Sequence, residues 1–155
     1  LNDIALIKIS NDTGHAKPNW VQVHPIDLYR DPPPPANRPM SIFGWGRTSG
    51  NTAWNSHAFL MRVGLNVMPH SECTPFARQL RWSLDDTIIC AKAPSGTRRK
   101  TCKGDSGGPV VSSGKLLAVV SGGGDRCTGD GVPSMYTRIA AYLPWIDGTT
   151  KRAAR

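Results

Sequence analysis

Lys103-Gly-Asp-Ser-Gly-Gly-Pro109 sets a hydroxyl in a run of small residues directly ahead of the strand-like Val110-Val111, so Ser106 is expected to be exposed at a turn. Gly104 can adopt backbone angles closed to other residues, which lets its N–H and that of Ser106 converge on one point. Two convergent donors make an oxyanion hole for a carbonyl oxygen that gains charge under attack, each worth about 3–4 kcal/mol. Gly107 and Gly108 leave room for close backbone approach. A glycine-rich turn bearing an ordinary surface serine would explain the glycines but not the aspartate beside the hydroxyl.

Outward from this stretch, 155 residues suffice for one ordinary domain. Hydrophobic residues make up 39% and charged residues 19%, so burial can outweigh chain entropy and a folded core is expected. The longest apolar runs, Leu116 to Val120 and Ile139 to Leu143, are far short of the ~20 residues needed to cross a bilayer, which argues against a membrane partner. The net charge of +8 would suit an anionic partner. Its knots, at Arg98, Arg99, Lys100 and Lys103 and at Lys151, Arg152 and Arg155, read instead as solvated basic faces. Aromatic interleaving and nucleic-acid motifs are lacking, so no nucleic-acid partner is expected. The chain opens on Leu1 without a basic start and long apolar stretch, and processing or truncation is expected to have removed the original beginning.

Ile4 to Ile9 and Val21 to Val23 are β-branched and apolar enough for strands. Asp31-Pro-Pro-Pro-Pro-Ala36 excludes helix and central strand and is expected to mark a junction. Six strand candidates follow: Met40 to Trp45, Phe59 to Met68, Thr87 to Ala91, Pro109 to Ser112, Leu116 to Ser121 and Met135 to Ile139. In the second, Met61, Val63, Leu65 and Val67 alternate with other residues, as when one strand face is buried. Their spacing suggests an antiparallel barrel or sandwich. Short helices are expected from a Ser71 cap through Ala77 and over Ala140 to Ile146, the latter limited by Pro144.

The Gly104-Asp-Ser-Gly-Gly-Pro109 segment resembles the nucleophile motif of the chymotrypsin/trypsin-like serine endopeptidases. Asn2-Asp-Ile-Ala-Leu6 resembles that family's aspartate segment, Gly44-Trp-Gly46 its mid-domain motif, and Pro133-Ser-Met-Tyr-Thr137 the strand closing its specificity pocket. Asp3 and Ser106 lie 103 positions apart, against about 93 in the family template, a surplus that the proline stretch or a surface loop can hold. The resemblance implies an all-β fold. Residues 1–36 would end a first barrel and connect to a six-stranded antiparallel Greek-key barrel over 37–148, with a short C-terminal helix and a basic tail at 149–155.

The resemblance also implies roles. Ser106 is the nucleophile, Asp3 orients and stabilises an imidazole, and the Gly104 and Ser106 amides form the oxyanion hole. Asp105 matches the residue that pairs with a new amino terminus on activation and so sets the turn. Lys100, Thr101, Ser121, Gly122, Gly123 and Ser134 are expected to line the substrate site, with Ser121 beside Asp3 and Gly123 pairing with substrate backbone. A catalytic histidine is expected about 45 positions before the aspartate, but His15, His24, His57 and His70 all follow Asp3 and none lies in such a segment. The isolated chain is therefore expected to be inactive. Lacking most of a first barrel, it is also expected to expose apolar surface and to risk aggregation.

Four cysteines allow three pairings, and no Cys-x-x-Cys supports a zinc knuckle, so no metal or cofactor is expected. The resemblance selects Cys73–Cys90 and Cys102–Cys127, each contributing ~3 kcal/mol in the chain-entropy model. Disulfides favour an oxidising compartment, hence secretion. Three departures bear on specificity. Lys100 stands where trypsin-like members carry the pocket aspartate, so either an acidic substrate side chain is favoured, or the ammonium snorkels out, or the loop shifts register. Gly122 replaces a usual tryptophan and should widen the cleft; Ser134 replaces a usual glycine and should narrow the pocket. The leading expectation is the carboxyl-terminal part of a secreted serine endopeptidase acting on peptides or proteins and open to protein protease inhibitors; no oligomeric state follows. The alternative is a non-catalytic homologue that binds a protein partner.

Overall fold

In the computed structural model, which describes residues 2–9, 23–48, 59–124, 126–127 and 131–153, six strands close on themselves. They are β1 (Pro39–Gly44), β2 (Met61–Met68), β3 (Ile88–Lys92), β4 (Pro109–Ser112), β5 (Lys115–Gly123) and β6 (Ser134–Arg138). Every pairing is antiparallel, in the order β1-β2-β3-β6-β5-β4, and β4 returns to β1 through Ser41 opposite Val111. Closure leaves no long strand edge for another chain to pair with. The Ser113-Gly114 pair joins β4 to β5 with φ of 50° and 73°, the doubly positive turn whose twist matches a tight hairpin.

Strand alternation divides the apolar residues between two clusters. Met40, Ile42, Leu65, Val67, Ile89, Val110, Leu117, Ala118, Val120 and Tyr136 fill the barrel. Fully burying a Val, Leu or Ile side chain stabilises by roughly 1.5–3 kcal/mol, so this interior dominates the energetics. Met68, Ile88, Cys90 and Met135 point outward and meet Cys73 and Ala77 of helix α1 (His70–Gln79). β3 is therefore buried on both faces. In β2 the expected alternation holds from Val63 to Val67, whereas Met61 is exposed at the strand end.

The helices differ in detail from expectation. α1 begins at His70 behind Pro69, with no side-chain cap, so Ser71 is not the cap. Pro69 presets an extended approach and its carbonyl accepts the N–H groups of Glu72 and Cys73. The C-terminal element is a 3-10 turn (Ile139–Tyr142) leading into α2 (Leu143–Ala153). Pro144 sits in its first turn, where no intrahelical N–H is required. Lys151 and Arg152 fall in the last turn, where the helix dipole favours cations, so the expected basic tail is helical as far as Ala153.

Residues ahead of the prolines lie against the barrel. Tyr29 is buried in its core, and Leu116 exchanges backbone hydrogen bonds with Asp27 and Tyr29. Arg30 grips Asp147 of α2 with two bonds of 3.0 and 3.1 Å, which holds that carboxyl below its usual range. Residues 4–9, expected as a strand, form none: the Ile4 N–H turns back to the Asn2 carbonyl at 3.0 Å, and none of the described strands pairs with the segment; the strand candidate at Val21 to Val23 lies mostly outside the described residues. Ile7, Phe59, Trp45 and Leu60 leave apolar surface open, at 88%, 79%, 56% and 52% exposure.

Candidate active site

Two consecutive turns build the nucleophile segment: the Asp105 N–H donates to the Cys102 carbonyl at 3.0 Å and the Gly108 N–H to the Asp105 carbonyl at 2.9 Å. Gly104 has φ of +95°, open to glycine and strained for other residues. The Asp105 carboxylate locks the segment from inside, accepting from the Cys102 N–H and the Gly46 N–H, both at 2.9 Å. Its Oδ1 occupies the space where side chains at Gly44 and Gly46 would begin, a physical reason for glycine on both sides of Trp45. The Gly107 N–H to Val120 carbonyl bond (2.8 Å) and the Val120 N–H to Gly108 carbonyl bond (3.0 Å) staple the turn to β5.

The result is an exposed Ser106 with two amides beside it. The Lys103 carbonyl accepts the Arg47 N–H at 3.0 Å. Because C=O and N–H of one trans peptide point in opposite directions, the Gly104 N–H is turned away from Arg47. Among the described residues, neither the Gly104 N–H nor the Ser106 N–H has a protein acceptor.

Asp3 is held against β5 and β6. Its Oδ2 accepts the Ser121 hydroxyl at 2.6 Å and its carbonyl accepts the Thr137 hydroxyl at 2.9 Å, while the Tyr142 hydroxyl reaches Asn2 Oδ1 at 3.0 Å. Ser121 occupies a β-bulge, since Val120 lies opposite Tyr136 and Gly122 opposite Met135. A bulge re-aims one side chain out of the pleat, here onto the carboxylate. Val120 in turn is bonded to Gly107, so Asp3 connects to the nucleophile turn through Ser121 and Val120. Asp3 Oδ1 accepts no hydrogen bond among the described residues.

Behind the turn, Thr101 donates to the Ser134 hydroxyl at 2.9 Å and lies 3.5 Å from the Tyr136 hydroxyl, all three residues buried. The Lys100 ammonium donates to the Val132 carbonyl at 3.1 Å, and Arg98, Arg99 and Lys100 separate a cavity of about 440 Å³ containing Asp105 from one of about 260 Å³ bounded by Gly131 to Ser134. Gly122 does not open the cleft as the sequence suggests, because the Trp82 indole covers it. Nothing local signals that contact, which spans 40 positions. Cys73–Cys90 and Cys102–Cys127 are the disulfides, tying α1 to β3 and the nucleophile turn to residue 127. His70 Nε2 lies 2.9 Å from the Ile88 carbonyl, and neither His24 nor His70 bonds to Asp3 or Ser106; His15 and His57 lie outside the described residues.

Burial pushes the Tyr136 phenol up to about 12, against smaller opposing hydrogen bonds from Thr101 and Ser134. The folded state thus holds this proton more tightly than the unfolded state, with its ordinary value near 10. The associated stability, roughly 2–3 kcal/mol, is complete below pH ~10 and is lost as pH rises through ~12. Phenolate absorbance of the native protein minus that of Tyr136→Phe is expected to show a phenol titrating near pH 12 or only on unfolding. A difference curve centred near 10 would contradict its burial.

A closed antiparallel barrel with an exposed serine in a glycine-rich turn, two amides without acceptors among the described residues and a carboxylate tethered to the adjoining strand has the layout of one barrel of a serine protease. The Trypsin family profile matches residues 1–146, and the chain belongs to that family of chymotrypsin/trypsin-like serine proteases. It is 32% identical over 152 residues to the platelet-aggregating proteinase PA-BJ of Bothrops jararaca, covering 96% of this chain and 60% of that protein. It is 30% identical over 150 residues to human kallikrein-14, covering 97% and 52%. Among solved structures, neuropsin, a serine protease expressed in the limbic system of mouse brain, superposes with a TM-score of 0.70 at 30% identity, covering 83% of this chain and 54% of neuropsin. The chain therefore spans only about half to three-fifths of the length of these relatives.

Proposed function

We propose that these residues form the nucleophile-bearing part of a serine endopeptidase that hydrolyses peptide bonds through an acyl-enzyme at Ser106. The supporting observations are an exposed Ser106 whose amide, like that of Gly104, has no acceptor among the described residues, and an Asp3 carboxylate held by Ser121, the neighbour of the Val120 that bonds the nucleophile turn. A general base takes the Ser106 proton as its oxygen attacks the scissile carbonyl; the Gly104 and Ser106 amides hold the resulting oxyanion. The same base then protonates the leaving amine, and water releases the acyl group by the reverse sequence. Asp3 Oδ1 is the acceptor left for an imidazole N–H, fixing its tautomer and stabilising its cation.

We infer that the 155 residues are inactive by themselves, since neither His24 nor His70, the histidines among the described residues, bonds to Asp3 or Ser106. Asp105, anchored next to the 440 Å³ cavity, is the acceptor for an amino terminus generated on activation. The substrate site uses Lys100, Thr101, Ser121, Gly122, Gly123 and Ser134. Position 100 carries a lysine where trypsin-like members carry the pocket aspartate, so a basic substrate side chain is not favoured, and an acidic one is the preference tested below. The paired cysteines suit a secreted enzyme. Peptides and proteins are its substrates, and protein inhibitors that present an extended loop are its expected partners.

The test uses the protein expressed from its complete reading frame. It is expected to encode a histidine about 45 residues before Asp3, to be labelled at Ser106 by a fluorophosphonate, and to cleave an Asp reporter peptide better than a Lys one. A product that is unlabelled and inactive after activation overturns the enzyme reading; preference for the Lys peptide overturns only the pocket assignment.

A further inference from the structure

The basic knot at Arg98, Arg99 and Lys100, expected from the sequence to be a solvated face, borders a cavity instead. Together with Arg47 and Arg62, which lie far from it along the chain, it lines the space of about 440 Å³ beside the nucleophile turn. Five cationic side chains thus surround one cavity, and Asp105 is the single acidic residue in its lining. Both oxygens of that carboxylate are already engaged, Oδ1 by the Gly46 N–H and Oδ2 by the Cys102 N–H, each at 2.9 Å. Like charges gathered around a concave site reinforce one another's field, and an anion that enters relieves their mutual repulsion. An amino terminus brought to Asp105 would add a further cation and increase the attraction for an anion.

The arginines are held to different degrees. Arg62, on β2, gives its Nε and Nη2 to the Ser41 hydroxyl of β1 at 3.1 and 2.9 Å, which orients the guanidinium and leaves Nη1 without an acceptor among the described residues. Arg98 and Arg99 follow a turn closed by the Thr97 N–H on the Pro94 carbonyl at 3.1 Å; both are exposed, and neither forms a hydrogen bond or ion pair among the described residues. A planar guanidinium matches two oxygens of a sulfate or phosphate group through parallel N–H bonds. Phe43, Met61 and Val63 add apolar surface to the same lining. A space of this size falls within the roughly 300–1,000 Å³ of small-molecule sites, where apolar walls hold the ligand body and a few polar groups fix its orientation.

We propose that this cavity binds an aromatic sulfate or phosphate ester: Arg98 and Arg99 hold the oxyanion, and Phe43, Met61 and Val63 meet the ring. The site uses neither Ser106 nor Asp3, so it stands apart from the protease reading above.

The test is isothermal titration calorimetry on the full-length protein carrying Ser106→Ala, which prevents self-cleavage. 4-Nitrophenyl sulfate or 4-nitrophenyl phosphate is expected to bind at a single site with Kd below about 1 mM, and about tenfold or more tighter than inorganic sulfate or phosphate, through the added apolar contact. Arg98→Ala/Arg99→Ala is expected to weaken that binding by about tenfold or more, through loss of charge-assisted hydrogen bonds. Lys151→Ala/Arg152→Ala on α2 removes the same charge elsewhere and is expected to change it by less than about twofold, because exposed distant charges are screened. If the alanine pair at 98 and 99 does not fold, Arg98→Gln/Arg99→Gln takes its place with the same expectation. Tighter binding of one ester than the other supports the proposal and identifies the preferred oxyanion. Absence of saturable binding by both esters, equal affinity for the esters and the inorganic ions, or an equal loss in the two paired variants overturns it. Because the readout is binding, a wild-type protein that takes up the ester but cleaves no peptide removes the protease reading and leaves this inference standing.

Discussion

In the full-length protein, Asp3→Asn is expected to lower kcat at neutral pH by about 10⁴-fold with little change in KM, the loss the template triad suffers when its carboxylate becomes an amide. That corresponds to roughly 5 kcal/mol of transition-state stabilisation. Asp3 Oδ2 is occupied by the Ser121 hydroxyl at 2.6 Å, so Oδ1 remains to receive an imidazole N–H. An amide offers one oxygen only. If that oxygen keeps the Ser121 bond, an NH₂ group faces the imidazole and favours the tautomer whose protonated nitrogen points at Ser106, where a lone pair is needed. Ser121→Ala leaves the carboxylate charge intact and removes one charge-assisted hydrogen bond, so a fall nearer tenfold is expected. Steady-state kinetics on one peptide separates the two; an Asp3→Asn enzyme within tenfold of wild type would remove Asp3 from the machinery.

Gly46→Ala is expected to destabilise the barrel by about 3 kcal/mol, combining overpacking with the loss of a hydrogen bond to a charged group. The added methyl carbon would overlap the Asp105 carboxylate and stand 2.8 Å from the Asp105 backbone nitrogen. The carboxylate could move only by leaving the Gly46 and Cys102 amides, which removes the lock on the nucleophile turn. Gly64→Ala is the control, because a methyl group there meets nothing within 4 Å. It is expected to stay within about 0.5 kcal/mol of wild type. Denaturant midpoints of the disulfide-intact proteins measure both, and equal midpoints would show that Asp105 is not wedged as described.

The apolar surface around Phe59, Leu60, Trp45 and Ile7 fits a chain that spans about half to three-fifths of its relatives. Residues 4–9 form no strand in the structure. Their composition suits one, but strand geometry is stable only when a neighbour completes the ladder. Just ahead of this segment, Asn2 and Asp3 are anchored to Tyr142 and Thr137.

What the amino-acid order determined by itself is local. The six barrel strands were legible because alternation and β-branching act within a few residues, and each lies within two residues of its expected start. The nucleophile turn was legible because glycine at positive φ and a serine between small residues are properties of neighbours in the chain. Helix α1 was displaced from its expected cap because Pro69 presets the approach without a side-chain bond. Only the tertiary structure decided which distant groups meet: Asp3 on the bulged Ser121, the Asp105 carboxylate in the space left by Gly44 and Gly46, Lys100 on the Val132 carbonyl, and Trp82 over Gly122. These contacts join segments tens of residues apart, and barrel closure brings them together; no period or spacing along the chain encodes that distance.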